Sequence, residues 1–149
     1  MPGKRTGAAK SSLIRCNVIP NPESRIPNPG FPMTDSTIFG KIIRRELPAD
    51  IVYEDDELIA FRDIAPQAPV HVLFVPKTPI ATLNDLQADQ AAIVGKLAHA
   101  AAAYAQREGF AQDGYRLVMN CNEHGGQTVF QLHLHLLAGA HLGRFGTPH

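Results

Sequence analysis

The chain has 149 residues, 44 % hydrophobic and 19 % charged, with fourteen Lys and Arg against fourteen Asp and Glu; that length suffices for one domain with a sizeable core. No apolar run approaches the ~20 residues of a membrane span, so no membrane partner is expected, and residues 33–149, with nine basic and thirteen acidic side chains, argue against a nucleic-acid surface. Cys16 and Cys121 make neither a disulfide framework nor a CxxC metal site, so a reducing compartment, the cytoplasm, is expected.

Residues 1–32 carry six prolines, five Lys or Arg and one Glu, with almost no hydrophobic periodicity. They read as disordered, and we place a disordered extension at 1–34 with one domain from 35 to 149. No 7–15-residue apolar stretch follows the basic start, as a secretory signal would require, and the prolines disfavour an amphipathic leader helix. Met33 is read as the start, with nothing functional before it.

From Asp35 the pattern becomes regular. Asp35 or Ser36 is expected to cap a short helix to about Arg45, stopped before Pro48. Residues 50–54 and 58–63 read as strands joined by an acidic turn, and 70–76 as a more buried strand. A long helix is predicted from about Ala88 to Glu108 on an inner stripe of Ile93, Leu97, Ala101 and Tyr104, with Gly109 as C′ residue. Residues 115–120 read as a fourth strand, 121–127 as a loop containing Gly125-Gly126, and 128–137 as a fifth strand. Clustered strands around one long helix predict an α+β domain on a mainly antiparallel, five-stranded sheet.

The chemistry concentrates on the last strand, Gln131-Leu132-His133-Leu134-His135-Leu136-Leu137. Alternation at period two places Gln131, His133 and His135 on one face and Leu132, Leu134 and Leu136 on the other, in a core. Two imidazoles roughly 6.5–7 Å apart along a strand are expected to face an open hollow that accepts a small anion. A neutral imidazole, with an ordinary pKa near 6.5, is a competent nucleophile at phosphorus at pH 7.

Gly126-Gln127-Thr128-Val129-Phe130-Gln131-Leu132-His133-Leu134-His135-Leu136-Leu137 resembles the signature of the histidine triad (HIT) family. Thr37-Ile-Phe-Gly-Lys-Ile-Ile43, Phe61-Arg-Asp-Ile64 and Pro66-Gln-Ala-Pro-Val-His71 resemble its nucleotide-binding branch. The resemblance covers about residues 35–140. It implies a HIT-like fold with one long and one short helix, and a homodimer whose sheet continues across the long helix and fourth-strand region. It also implies a purine nucleoside phosphoramidase activity that releases AMP from an amine such as lysine. In that reading His133 is the nucleophile, forming a nucleotidyl-histidine that water hydrolyses. His135 holds a phosphoryl oxygen or assists the leaving group, and His71 is their network partner. Gly126 lets the backbone approach, and Gln127, Thr128 and Asn120 bind phosphate. Asp63 reads the ribose diol, and Phe39, Ile42, Leu47 and Phe61 form the purine slot with Arg62 at its rim. The C-terminal segment 138–149 is placed near the partner's site.

The family pattern is His-x-His-x-His, and here Gln131 stands first. The nucleophile's second ring nitrogen can still be oriented by a backbone carbonyl, whatever side chain its residue bears, so activity is expected to survive. The alternatives are a dinucleoside polyphosphate hydrolase and a nucleotide-binding adaptor whose catalysis has faded. His-x-His can also bind zinc, with His71 as a third ligand, but no Cys or carboxylate lies at a convincing spacing. No metal or cofactor is expected. His99, His124, His141 and His149 read as bystanders.

Overall fold

The computed structural model describes residues 37–145. The proposed extension 1–34, the candidate caps Asp35 and Ser36, and His149 lie outside that range. Five strands form one sheet in the order β1-β2-β3-β5-β4, with every neighbouring pair antiparallel. The strands are β1 (Ile51–Glu54), β2 (Leu58–Arg62), β3 (Val70–Pro76), β4 (Arg116–Val118) and β5 (Leu134–Ala138). The α-helices are α1 (Ile38–Ile43), α2 (Ala91–Glu108) and the single turn α3 (Asn122–Gly125). This is the α+β architecture the sequence predicts, with one long helix. Among the described residues no helix is long and apolar enough to cross a membrane.

Side-chain parity sorts the sheet into two faces. Even-numbered Leu58, Ala60, Val72, Phe74, Leu134 and Leu136 pack with Leu97, Ala101 and Tyr104 of α2 in one buried cluster. Odd-numbered Ile59, Phe61, Leu73 and Val75 pack with Phe39 and Ile42 of α1 and with Val129 in a second. Successive strand side chains point to opposite faces, so His71 and His135 stand on the α1 face. The sheet is thus buried on both sides, α2 backing it and α1 sharing its other face with the imidazoles.

Several boundaries differ from expectation for local reasons. Thr37 caps α1, its side chain accepting from the Gly40 N–H at 3.0 Å. The predicted long helix begins with a 3-10 turn over Ala88–Gln90, and α2 proper ends where Gly109, at φ +89°, donates to the Ala105 and Gln106 carbonyls. The expected loop 121–127 contains α3, closed by Gly126 at φ +89°. The largest difference is the fifth strand, which joins the ladder only from Leu134 rather than from residue 128. β3, which lies between β2 and β5, pairs with β5 only over Val70–Phe74, and β4 stops at Val118. Residues 128–133 therefore have no ladder partner. They are held instead by the Leu132 N–H to the Ile80 carbonyl (2.7 Å) and by the Gln127 amide to the Val129 carbonyl (3.0 Å).

Candidate active site

The register of β3 on β5 sets His71 opposite Leu137 and His135 opposite Leu73. This diagonal brings two imidazoles of like parity together across the ladder. His71 Nε2 lies 2.9 Å from His135 Nδ1, and the rings of His133 and His135 are centred 4.8 Å apart. The approach of His133 and His135 foreseen from alternation is thus present, although His133 sits just before the ladder begins.

Hydrogen bonds define which ring nitrogen carries each proton. The Gln67 backbone N–H donates to His71 Nδ1 (3.0 Å), so the proton of neutral His71 is on Nε2. That Nε2–H donates to His135 Nδ1, which leaves the His135 proton on Nε2. His133 Nδ1–H donates to the Gln131 carbonyl at 2.6 Å, so its Nε2 carries the lone pair. Burial disfavours the charged form and pulls all three imidazoles down: His133 and His71 to about 4, His135 well below the usual histidine value. The lone pair on His133 Nε2 is therefore present throughout the neutral range.

The ring does not face an open hollow as the sequence reading expected. His133 is 3 % exposed and His135 is fully buried. The Phe39 ring meets His133 edge-on, centroids 4.9 Å apart.

Of the expected purine slot, Phe39, Ile42 and Phe61 are buried in one cluster with partly buried Leu47 against it, and the Phe39 and Phe61 rings are 5.4 Å apart. Asp63 follows β2, its N–H donating to the His71 carbonyl (3.0 Å) and its Oδ1 accepting from the Ala65 N–H (2.8 Å). Its Oδ2 is buried without a hydrogen-bond partner, 3.5 Å from His71 Nε2. Desolvation raises this carboxyl to about 6. A second buried atom without a partner is the Thr128 hydroxyl, and such groups stand out because buried polar atoms are normally bonded.

Two candidates sit differently. Arg62 is exposed and pairs with Asp50 at 2.9 Å; parity turns it to the face opposite Phe61 and Asp63, away from a slot rim. Gln127 is committed internally. Its N–H goes to the Asn122 carbonyl, its side-chain amide to the Ala81 and Val129 carbonyls, and its side-chain oxygen accepts from the Asn122 N–H. It shapes the loop and has no N–H left for phosphate. Gly126, in the left-handed region at φ +89°, closes α3 with its N–H, and half-buried Asn120 precedes the same loop. His99, His124 and His141 are exposed, away from the histidine cluster.

Sequence reasoning missed three features. The Gln67 amide that holds His71 belongs to the main chain, so residue identity carries no signal for it. Ile64, beside Asp63, is 78 % exposed, and an apolar residue between a strand end and a proline-rich turn was a readable sign. Thr37, besides capping α1, donates from its hydroxyl to Gln131 Oε1. The fold also supplies the carboxylate that sequence spacing lacked. Asp63, His71 and His135 bring metal-type donor atoms within 4.8 Å of one another, so among the described residues these three are where a cation would find ligands, and His133 is not one of them.

An imidazole with a fixed lone pair, backed by two neutral imidazoles on an antiparallel sheet, is the apparatus of a histidine-dependent hydrolase. Residues 44–142 match the HIT domain family. A purine nucleoside phosphoramidase of Escherichia coli (strain K12) is 55 % identical over 111 residues, 74 % of this chain and 93 % of the relative. The crystal structure of a HIT family hydrolase from Legionella pneumophila Philadelphia 1 superposes with a TM-score of 0.71 at 46 % identity, covering 72 % of this chain and 96 % of that one. A histidine triad protein from Clostridium difficile gives 0.72 at 41 % identity, covering 74 % and 96 %. The chain belongs to the HIT domain family, and it is a hydrolase.

Proposed function

We propose that this chain hydrolyses purine nucleoside 5′-phosphoramidates, releasing a nucleoside monophosphate and a free amine through a covalent intermediate on His133. The observation that carries the reading is the His133 Nδ1–H bond to the Gln131 carbonyl, which leaves Nε2 as a nucleophile in surroundings that keep it neutral. The Nε2 lone pair forms a bond to the α-phosphorus as the P–N bond breaks, the substrate nitrogen having taken a proton from solvent so that it leaves as a neutral amine, while the His135 Nε2–H donates to a phosphoryl oxygen. Water then attacks the phosphorus, Nε2 is released, and one water proton returns to solvent in place of the one taken up. The sum is phosphoramidate plus water giving monophosphate plus amine. The His71 bond to His135 keeps that donor proton on Nε2. These steps draw only on side chains, main chain and water.

Asp63 Oδ2, buried and lacking a partner, suits a ribose diol, since a carboxylate accepts from both hydroxyls. The Thr128 hydroxyl suits a phosphoryl oxygen, and Phe39, Ile42, Leu47 and Phe61 suit a purine. The E. coli relative's name supports the substrate class. We assign residues 35–149 as the functional unit and 1–34 as an extension outside it, in the cytoplasm. We also assign a homodimer joined through the β4 edge and α2; β4 presents three half-buried residues at an open sheet edge.

Brief exposure of the protein to an adenylated amine, quenching in alkaline denaturant (the P–N bond to imidazole is acid-labile) and intact mass spectrometry test the central step. The expected result is one AMP adduct, mapped to the peptide containing His133. Full turnover with no adduct, an adduct elsewhere, or AMP binding with no turnover overturns it.

A further inference from the structure

Gln131 makes two hydrogen bonds in different directions. Its main-chain carbonyl accepts from His133 Nδ1–H, and its side-chain carbonyl accepts from the Thr37 hydroxyl. Thr37 is the N-cap of α1, and the same hydroxyl accepts from the Gly40 N–H at 3.0 Å. A hydroxyl has one proton to give and lone pairs to receive with, so both roles are filled at once. The first turn of α1 is thereby fixed to the residue that orients the nucleophile. That turn carries Phe39, which packs on the His133 ring and on Phe61.

We infer that Gln131 is a positioning residue, a clasp that locks the base-binding helix α1 to the nucleophile through Thr37 and so lets recognition of the base align phosphorus with His133. The inference rests on the nucleotide-hydrolase reading of the site. A neutral glutamine suits this duty. Its amide oxygen accepts in every protonation state and adds no charge to a site of neutral imidazoles. An imidazole at this position accepts only through an unprotonated nitrogen, and loses that acceptor on charging. Gln131 gives this position a fixed acceptor that does not titrate.

Gln131→Leu removes the side-chain acceptor and keeps both the main-chain carbonyl and the helix cap. Two substrates are compared, a purine nucleoside 5′-phosphoramidate and ribose 5-phosphoramidate, which lacks the base. The expected result is a KM about fivefold higher for the purine substrate, the factor one ordinary hydrogen bond carries, with no change for the baseless one. Thr37→Val removes the same bond from the other end together with the Gly40 cap, and Thr37→Ser keeps both. Adding Gln131→Leu to Thr37→Val is expected to cost nothing further, as for two ends of one interaction. Amide exchange at Gly40 and Lys41 is expected to quicken about fivefold in the Gln131→Leu protein, and it reads the clasp even if no phosphoramidate is turned over. Equal KM changes on both substrates, multiplicative losses in the double variant, or unchanged exchange overturns the clasp. Failure of the hydrolase reading shows separately, as turnover that survives loss of His133. Should Gln131→Leu fail to fold, Gln131→Met, of similar volume and without the amide oxygen, carries the same comparison.

Discussion

At the scale of single residues the site is an exercise in keeping groups neutral. His133 serves as a nucleophile only with Nε2 unprotonated, and burial has already moved its titration to about 4. Replacing His133 with Ala is expected to lower turnover of a purine nucleoside phosphoramidate by at least about a thousandfold, while AMP binding stays within roughly threefold; equilibrium binding and initial rates check it. The pH profile follows from the same shifts. Asp63 ionises near 6 and accepts the diol best as a carboxylate. So kcat/KM is expected to fall as pH drops through about 6, and kcat only near 4. Asp63→Asn should erase the upper limb and leave the lower one. A single limb near 6.5 in both parameters contradicts this account.

At the scale of elements, two glycines with left-handed backbone separate strain from contact. Gly109 ends α2 at φ +89° with open space where a Cβ would project. Gly139 follows β5 at φ +96°, and a Cβ there would lie 2.8 Å from the Pro69 Cβ. Gly109→Ala is expected to cost about 1 kcal/mol, and Gly139→Ala about 2–3 kcal/mol because a clash adds to the strain; urea unfolding measures both. Pro69 ends the turn whose Gln67 amide holds His71, so Gly139→Ala is also expected to lower kcat. Leu97, fully buried where α2 meets the sheet, should cost about 2–5 kcal/mol as Ala and leave kcat unchanged, since α2 lies on the face away from the imidazoles.

At the scale of the whole molecule, the buried titratable groups act on stability with opposite signs. His71 and His133 have folded pKa values lowered to about 4. Their contribution is complete above the ordinary 6.5 and is lost as pH falls toward 4; that of His135, also lowered, goes the same way. Asp63, raised to about 6, contributes in full below its ordinary 3.8 and loses that contribution as pH rises through 6. Between 6 and 4 the gain from Asp63 offsets roughly one of three histidine losses. The urea midpoint is expected to fall as pH drops from 6.5 to 4. Asp63→Asn should raise stability at pH 7, by removing a desolvated charge, and steepen the fall. For assembly, sedimentation of the full chain is expected to give a dimer, and a charged residue placed mid-strand at Leu117 should split it. A wild-type monomer contradicts the proposed β4 junction.

Local chemistry made much of this legible from residues alone. Alternation in Gln131 to Leu137 put the imidazoles on one face and the leucines toward a core, because the strand period is fixed by backbone geometry. Gly109 announced the end of α2, since few other residues accept its φ. The tertiary structure decided what depends on partners distant in sequence. The ladder begins only at Leu134, the Leu132 N–H before it going to the Ile80 carbonyl. Arg62 turned to Asp50, and Gln127 spent its donors on its own loop. The Gln67 amide fixed the tautomers of His71 and His135, and Thr37 met Gln131 across 94 positions. Periodicity and propensity are properties of neighbours along the chain. Tautomers, desolvation and cross-chain hydrogen bonds belong to neighbours in space, which only folding supplies.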